Sequence, residues 1–394
     1  MANRLFSAVL SFVVGGQLAL ASGQWPTYQH DSQRTGRSET PAAKEGTVLW
    51  TFDAGRSVAA SPVFAGDDTV YVASTGGTLF AVTSKGEKKW EAPTDAPIFA
   101  TPAIDQQGNV YVADLSGTLY SFSPAGKEQW RFSIARSLEK RITSPILVAP
   151  DGNIWFGSWD SNVYVVSPTG KQQQFFSTGK FNYAALTSDG AALVCVAQTT
   201  RRELTVEAYE TQTFTKRWTG RSAIDSGQWP VMAASAIDLG RRHVYAAGVG
   251  GQQGLLVCFD LGTGTPLWRK TPPRGVYSTP AIAPDGSVVI GDLGGTISCY
   301  SPDDGEQKWQ FQTDAYVILG SATIDANGTV LIGAGDGNLY VLDSSGKELW
   351  RHQTGTNISA SPAIGDEGAI YVSSFDGYLH AIGAPQGVLD CTVR

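Results

Sequence analysis

The chain has 394 residues, with 29 Lys and Arg against 36 Asp and Glu and a formal net charge of -7. This acidic balance disfavours nucleic acids and anionic membranes as partners, because both attract basic proteins. The 45 glycines, the 16% of charged residues and the lack of any long stretch with helical period indicate an all-β chain rich in tight turns.

The first 21 residues have the pattern of an export signal. Arg4 supplies a positive charge, residues 5–14 form an apolar run, and small residues at 19–21 provide a cleavage position. We therefore expect an exported chain, periplasmic or extracellular, that begins at Ser22 and has no transmembrane span. A membrane anchor is the alternative interpretation, but residues 15–17 interrupt the apolar run short of a ~20-residue span.

A repeated unit fills the chain from Thr47 to Gly383 and recurs eight times. A tryptophan lies near the end of most copies: Trp50, Trp90, Trp130, Trp218, Trp268, Trp309 and Trp350. Phe175 and Phe176 stand where one more tryptophan is due. The spacing of about 40 to 50 residues is typical of propeller blades, which cannot bury their faces without a neighbour. We interpret each indole as structural, docked against the adjacent blade.

The second copy shows the unit most clearly. Its four predicted strands, named A to D, cover residues 101–104, 109–113, 118–123 and 128–132. Each intervening turn carries a glycine, as tight hairpins require. The pattern predicts a four-stranded antiparallel meander.

The eighth copy, Ser361 to Gly383, supplies strands A, B and C and then stops. We predict that the segment Thr47–Phe52 completes it as strand D, which would remove an exposed sheet edge. The expected organisation is a signal peptide (1–21), a lead-in (22–46), an eight-bladed β-propeller (47–383) and a tail (384–394).

Chemistry-bearing residues show no catalytic or metal-binding spacing. Cys195, Cys258, Cys299 and Cys391 fit no metal motif, and Cys258 and Cys299 occupy equivalent places on neighbouring units, too far apart for a disulfide. The disulfide state of Cys195 and Cys391 is left open. The four histidines form no paired motif. We predict no catalytic residue and no metal site.

The D-to-A linkers and B–C turns share one rim of a propeller, and here that rim is varied, whereas the A–B and C–D turns are uniform Gly-containing hairpins. Ile98 also precedes an inner strand. The candidate binding residues on this rim are Arg56, Arg141, Trp159, Asn182, Trp229, Arg274, Tyr277, Tyr316, Asn357 and Phe375. Aromatic residues and arginines favour protein or ligand binding. Packing inside the channel is the alternative for Trp229 and Tyr316. An Asx-type turn is the expected role of Asp160 and Asp376.

The segments ending at Trp90, Trp130, Trp268 and Trp350 resemble the tryptophan-docking motif of pyrroloquinoline-quinone-type repeats, A-x-D-x-x-T-G-x-x-x-W. Residues 25–28 and 34–36 resemble the lead-in of bacterial members. The resemblance implies an eight-bladed propeller of the quinoprotein-alcohol-dehydrogenase-like superfamily, in its BamB-like non-enzymatic branch. Quinoprotein dehydrogenases hold the quinone with a vicinal cysteine pair and calcium, and this chain has no Cys-Cys. A lipid anchor is not supported, because Ser22 follows the signal where a cysteine is needed.

Three functions remain as hypotheses. The first is a non-catalytic scaffold of the cell envelope that binds a protein or a ligand, uses no cofactor and takes part in outer-membrane protein assembly. The second is an oxidoreductase that uses pyrroloquinoline quinone with calcium. The third is a periplasmic sensor that captures a small ligand. The fold alone does not choose among them.

Overall fold

The computed structural model describes residues 24–135, 137–178, 185–191, 193–199, 203–224, 234–250 and 253–384. The strands form eight four-stranded antiparallel sheets, each of which is one blade. The A, B and C strands are mostly buried, whereas the D strands alternate between exposed and half-buried residues. The predicted all-β, eight-bladed propeller is therefore confirmed.

The strands follow the chain in order. The first sixteen are β1 (Val48–Asp53), β2 (Val63–Phe64), β3 (Thr69–Ser74), β4 (Thr78–Thr83), β5 (Lys88–Pro93), β6 (Ala103–Ile104), β7 (Val110–Ala113), β8 (Thr118–Phe122), β9 (Glu128–Ser133), β10 (Leu147–Val148), β11 (Ile154–Gly157), β12 (Asn162–Val166), β13 (Gln172–Ser177), β14 (Thr187–Ser188), β15 (Leu193–Thr199) and β16 (Glu203–Glu210). The others are β17 (Lys216–Ala223), β18 (Ala234–Asp238), β19 (His243–Gly250), β20 (Gln253–Asp260), β21 (Pro266–Lys270), β22 (Ala281–Ile282), β23 (Val288–Gly291), β24 (Thr296–Tyr300), β25 (Gln307–Gln312), β26 (Thr323–Ile324), β27 (Val330–Gly333), β28 (Asn338–Leu342), β29 (Glu348–Gln353), β30 (Ala363–Ile364), β31 (Ile370–Ser373) and β32 (Tyr378–Ile382), with a 3₁₀ helix at Asp366–Gly368.

Blades 1 to 7 are consecutive groups of four strands, from β2–β5 to β26–β29, and blade 8 combines β30, β31 and β32 with β1. In blade 2, β6 to β9 start and end within two residues of the predicted strands. Blades 4 and 5 have longer B and C strands, of seven or eight residues. These are the two copies whose sequences depart most from the repeat.

The tryptophans of the D strands contact the C–D turn of the following blade. Trp90 Nε1 donates a hydrogen bond to the Pro124 carbonyl at 2.9 Å, and Trp130 Nε1 donates to the Pro168 carbonyl at 2.9 Å. The same bond is made by Trp50, Trp218, Trp268 and Trp309. Each indole therefore joins two blades through one polar bond as well as apolar packing.

The Ser/Thr-Pro sequences that open many units also have a structural role. Ser61 N–H donates to Thr101 Oγ1 at 3.1 Å, Ser361 N–H donates to Ser61 Oγ at 2.9 Å, and Ser321 N–H donates to Ser361 Oγ at 3.2 Å. All four residues are buried. The hydroxyls thus link neighbouring inner strands across the blade interfaces.

The ring closes where β1 pairs with β32 in antiparallel register, Thr51 lying opposite His380. Gly383 N–H donates to the Thr47 carbonyl at 2.8 Å, which repeats the bond from Thr83 N–H to the Glu87 carbonyl in blade 1. Blade 8 therefore keeps the geometry of a C–D hairpin, but its two halves come from opposite ends of the repeat region.

Candidate functional site

The propeller has two rims of different construction. We call the end formed by the A–B and C–D turns the hairpin rim, and the end formed by the D-to-A linkers and B–C turns the linker rim. The described part of the lead-in, residues 24–46, crosses the hairpin rim. The candidate binding residues that the structure describes lie on the linker rim.

The lead-in contacts the inner strands of the blades in their order around the ring. The contacts in blades 1 to 8 involve Phe64, Ile104, Ile146, Ser188, Ile237, Ile282, Ile324 and Gly368, respectively. Trp25, which bridges to Phe64, is 1% exposed. The lead-in is therefore part of the folded body, and its path was not foreseen in the sequence.

Arg34 fixes the lead-in against blades 3 and 4. Its side chain is fully buried, Nε donates to the Leu186 carbonyl at 3.0 Å, and Nη2 donates to the Ile146 carbonyl at 3.0 Å. Nη1 donates to Thr27 Oγ1 and to the Tyr28 carbonyl. Burial lowers the pKa of Arg34 to about 10, opposed by the nearby Asp31 carboxylate, so the guanidinium stays charged at neutral pH.

Above the lead-in lies an open bowl of about 1150 Å³, lined by lead-in residues and A–B turns. Its acidic residues include Asp31, Asp105, Asp151 and Asp238, of which Asp238 pairs with Arg241 at 3.3 Å. The Asp31 carboxylate accepts hydrogen bonds from Thr35, which holds the lead-in turn. The described polar groups of this bowl mainly serve the local turns.

The linker rim has a uniform backbone. In six linkers a buried aliphatic residue donates its N–H to the B–C turn of the preceding blade: Val58, Ile98, Ile142, Val276, Ile318 and Ile358. The residue before each of these accepts a hydrogen bond from the B–C turn of the next blade, as Asn357 does from Phe375 N–H at 3.0 Å. Linkers and turns therefore alternate in a hydrogen-bonded chain along the rim, which provides a rigid support for side chains.

Side chains on this uniform backbone vary from blade to blade. The position two residues before the buried aliphatic residue holds Arg56, Ala96, Lys140, Arg274, Tyr316 and Thr356. The position just after it holds Ala59, Phe99, Thr143, Tyr277, Leu319 and Ser359. Structure is thus conserved between the linkers while chemistry changes, which is the arrangement expected of a recognition surface.

Large apolar side chains are exposed on this rim. Tyr316 is 80% exposed, Phe375 37%, Phe99 38% and Leu319 36%, and Leu138 is fully exposed. Aromatic residues exposed on a rigid surface supply much of the energy of protein interfaces. The packing alternative does not describe Tyr316, which points into solvent rather than filling the channel.

Arg141 and Trp159 form one unit. The Arg141 guanidinium lies over the Trp159 ring, 4.7 Å from its centroid, and Trp159 Nε1 donates to Thr143 Oγ1 at 2.9 Å. Glu139 lies 3.8 Å from Arg141. This contact holds both side chains in place, so a partner would meet them already ordered.

The other predicted rim residues have different environments. Arg56 and Arg274 are exposed, and their stems pack on Gly76 and Gly294. Tyr277 is half-buried, and burial raises the pKa of its hydroxyl. Two further predicted rim residues, Asn182 and Trp229, lie outside the described residues.

Part of the exposed surface lies one residue away from its predicted position. Ile98 was predicted on the rim but is fully buried, and its neighbour Phe99 is the exposed residue. Leu319 occupies the corresponding place before blade 7, and Leu138 was also missed. Aligning the linkers on their buried aliphatic residue would have identified Phe99 and Leu319.

The acidic residues of the B–C turns make Asx-type bonds. Asp160 Oδ1 accepts from Asn162 N–H at 3.1 Å, and Asp376 Oδ1 accepts from Tyr378 N–H at 2.9 Å. Among the residues that the structure describes, no group of three or more His, Cys, Asp or Glu side chains could hold a metal ion.

The three cysteines within the described ranges, Cys195, Cys258 and Cys299, are free and buried. Burial raises the pKa of the Cys299 thiol to about 11 and raises the pKa of the other two thiols as well, so all three are protonated at neutral pH. Cys391 lies outside the described residues. None of the three described thiols is suited to nucleophilic chemistry.

Eight four-stranded blades closed into a ring, seven of them with a tryptophan on the D strand, define this chain as an eight-bladed β-propeller protein. The chain belongs to the family described as outer membrane protein assembly factor BamB, whose model matches residues 40–174 and 205–392. Within the described residues, no helix is long and apolar enough to cross a membrane.

Known proteins similar to this chain include BamB proteins and, as a second group, quinoproteins. The outer membrane protein assembly factor BamB of Burkholderia pseudomallei (strain K96243) is 28% identical over 120 residues, which cover 30% of this chain and 31% of that relative. The chain therefore aligns with less than a third of that relative's length. The structure of BamB from Moraxella catarrhalis is 18% identical with a TM-score of 0.68, over 86% of this chain and 98% of that one.

The second group consists of quinoproteins. Quinohemoprotein alcohol dehydrogenase from Comamonas testosteroni is 14% identical, with a TM-score of 0.75 over 92% of this chain and 81% of that one. At these identities the structural matches show a shared fold and nothing about chemistry.

Proposed function

We propose that this chain is a non-catalytic scaffold of the cell envelope that binds a protein partner during the assembly of outer-membrane proteins. Its family supports the assembly role, and the linker rim supports protein binding. The observation that carries the proposal is the combination of a uniform hydrogen-bonded backbone with varied, exposed side chains on that rim.

The chemistry of the rim fits a folded protein partner. Tyr316, Phe375 and Phe99 offer exposed aromatic area, and Arg56 and Arg274 add guanidinium groups beside it. Aromatic residues and arginine are the types enriched at interface hot spots. Because the backbone beneath them is already fixed, binding would cost little ordering of the main chain.

Site-specific cross-linking tests the proposal. A photoreactive phenylalanine analogue replaces Tyr316 in one protein and Leu349 in another, and both are exposed to light in cells. Leu349 is the matched control, since it is 53% exposed but lies on the outer strand β29. We expect adducts with an outer-membrane assembly protein from position 316 and none from position 349.

The affinity of that partner then measures the contribution of the rim. A Tyr316→Ala and Phe375→Ala double variant should bind at least ~30-fold more weakly, because a hot-spot side chain is worth about 2 kcal/mol. Leu349→Ala should bind as the wild type does. Equal binding by the double variant would refute the assignment of this rim, and reduction of a dye by the protein loaded with quinone and calcium would refute the non-catalytic part.

A further inference from the structure

Aromatic pairs connect several neighbouring blades at mid-height. The D-strand residue Phe132 packs on Tyr164 of the next blade with ring centroids 6.2 Å apart, and Phe311 packs on Tyr340 at 5.9 Å. The tyrosine hydroxyl in each pair donates to a B–C turn aspartate, as Tyr340 does to Asp336 at 2.6 Å. The pair therefore joins two blades and supports a turn of the linker rim.

Between blades 7 and 8 two histidines take these places. His352 lies opposite Leu339 in register, as Phe311 lies opposite Ile297 one blade earlier. His380 follows Asp376 by four residues, as Tyr340 follows Asp336. The imidazole centroids are 5.8 Å apart, within the range of the aromatic pairs.

One carboxylate lies near both imidazoles but bonds only that of His380. His380 Nε2 lies 3.0 Å from Asp376 Oδ2, which also accepts a hydrogen bond from Gly355 N–H at 2.8 Å. His352 Nε2 is buried and finds no partner among the described residues. The carboxylate can therefore neutralise one added proton but not two.

Among the described residues, His380 and Asp376 are the only ionisable groups whose charge acts on the pKa of His352. Tyr378 is the further ionisable neighbour on β32, 6.2 Å from His380 between ring centroids. On β29, the adjacent Arg351 is turned to Glu348 and Asp314, and β1 places Thr51 opposite His380. Linker 7–8 contributes only the N–H of Gly355.

The same interface also lacks the hydrogen bond that the other docking tryptophans make. Trp350 Nε1 is buried and finds no acceptor in the part of the chain that the structure describes, although six other docking tryptophans donate to a carbonyl. Trp350 packs on Gly46 of the lead-in, because the hairpin of blade 8 is split. The interface between blades 7 and 8 therefore differs from the other blade interfaces in two contacts: the histidine pair and the docking of Trp350.

We propose that the interface between blades 7 and 8 is a pH-sensitive seam, in which protonation of the buried His352 against His380 loosens blade 8 and the turn that carries Phe375. Near neutral pH the two rings pack as the aromatic pairs do. In acid, an added proton on His352 finds no hydrogen-bond acceptor among the described residues, because the Asp376 carboxylate already pairs with His380.

The direction of the pH effect follows from His352. Burial, reinforced by the neighbouring His380, lowers the pKa of His352 below its ordinary value near 6.5, while Asp376 opposes the shift. The unfolded chain therefore binds this proton more readily than the folded one, so stability is complete above about pH 6.5 and falls as the pH drops below it. The pKa of Asp376 is also lowered, despite burial, by hydrogen bonds from Gly355 and Tyr378 and by His380, so its contribution is lost only in stronger acid.

Hydrogen exchange of the full-length protein at pH 7.5 and 5.5, corrected for intrinsic rates, tests the seam. Segment 348–382 should lose protection by several-fold more than segment 307–342, which contains the Phe311 and Tyr340 pair. The double variant His352→Phe and His380→Tyr restores that pair and should abolish the difference. His243→Asn is the control, because His243 also has a pKa lowered by burial but lies in blade 5.

Each outcome decides the proposal. An equal change in both segments of the wild type, or an undiminished difference in the double variant, overturns it, and loss of the difference in His243→Asn assigns the effect to another blade. If the double variant fails to fold, His352→Phe alone removes the second imidazole and predicts the same loss of acid response.

Discussion

The two rims of the propeller are ordered in opposite ways. On the hairpin rim, specific side chains add to the main-chain bonds of the lead-in: the buried Arg34 and Trp25, and the docking tryptophans, mostly half-buried, with their turn glycines. On the linker rim, main-chain hydrogen bonds hold the structure, and the side chains at equivalent positions differ. Freedom to vary the side chain without losing the fold therefore exists mainly at one end of the molecule.

This contrast explains why repetition along the chain coexists with a specific surface. The main-chain hydrogen bonds between linkers and B–C turns need only a buried aliphatic residue and the peptide groups of its neighbours. The adjoining positions carry Tyr316 before blade 7 and Arg56 before blade 1, and the main-chain hydrogen bonds are the same in both linkers. A repeat protein can thus diversify one rim while the other keeps the ring closed.

The largest expected effect concerns Arg34. Arg34→Met removes the side-chain donor of the Leu186 carbonyl and one of the two side-chain donors of the Ile146 carbonyl in a buried site, and we expect a loss of about 3–5 kcal/mol in the free energy of unfolding. Urea denaturation measures it. Arg37→Met is the control, since Arg37 is 37% exposed and lies 3.8 Å from Glu39, and it should change stability by less than about 0.5 kcal/mol. Equal losses of unfolding free energy in the two variants would show that the buried contacts of Arg34 do not stabilise the propeller.

An effect of intermediate size is expected when a turn glycine on each rim is replaced by alanine. Gly126 has φ +79°, and a Cβ there would lie 2.6 Å from Trp90 Cδ2, whereas Gly55 has φ +73° and no atom within 4 Å of its Cβ position. Gly55→Ala should cost about 1–2 kcal/mol through backbone conformation alone. Gly126→Ala should cost about 1–3 kcal/mol more, because it displaces the indole. Thermal or urea unfolding compares the two, and equal costs would argue against tight docking of Trp90.

The smallest effect concerns a surface ion pair of the hairpin rim. Lys308 Nζ lies 2.8 Å from Asp285 Oδ2, but the two side chains are 44% and 58% exposed. A double-mutant cycle with Lys308→Met and Asp285→Asn should give a coupling of about 0.2–1 kcal/mol. The coupling should vanish in 1 M salt, where the screening length is about 3 Å. A larger, salt-resistant coupling would show that surface charges also hold this rim.

The sequence predicted the architecture because the repeat carries its own register. The tryptophan period located the blades, and the missing D strand of the eighth copy located β1, which indeed pairs with β32. The path of the lead-in could not be predicted, since it bonds largely through backbone groups that any residue type provides. The sequence also showed His352 and His380 in unlike strands, and only the ring brings them together.

The linker rim was predicted as a region and missed in detail. A linker has no alternating strand pattern to tell inward from outward residues, so Ile98 was taken for a rim residue in place of Phe99. The repeated position of a buried aliphatic residue in each linker supplies the missing register. Whether Tyr316 and Phe375 bind a partner stays a prediction.

The split hairpin of blade 8 has a consequence for how the protein folds. β1 finds its partner only when β32 exists, more than 300 residues later in the chain. An incomplete chain would therefore carry an unsatisfied strand at its beginning and an open sheet at its end, each able to pair with another molecule. Closure is slow in principle, because it joins distant parts of the chain, and it occurs only when every blade has been made. The sheet of blade 8 can therefore form only after the whole repeat region has been synthesised.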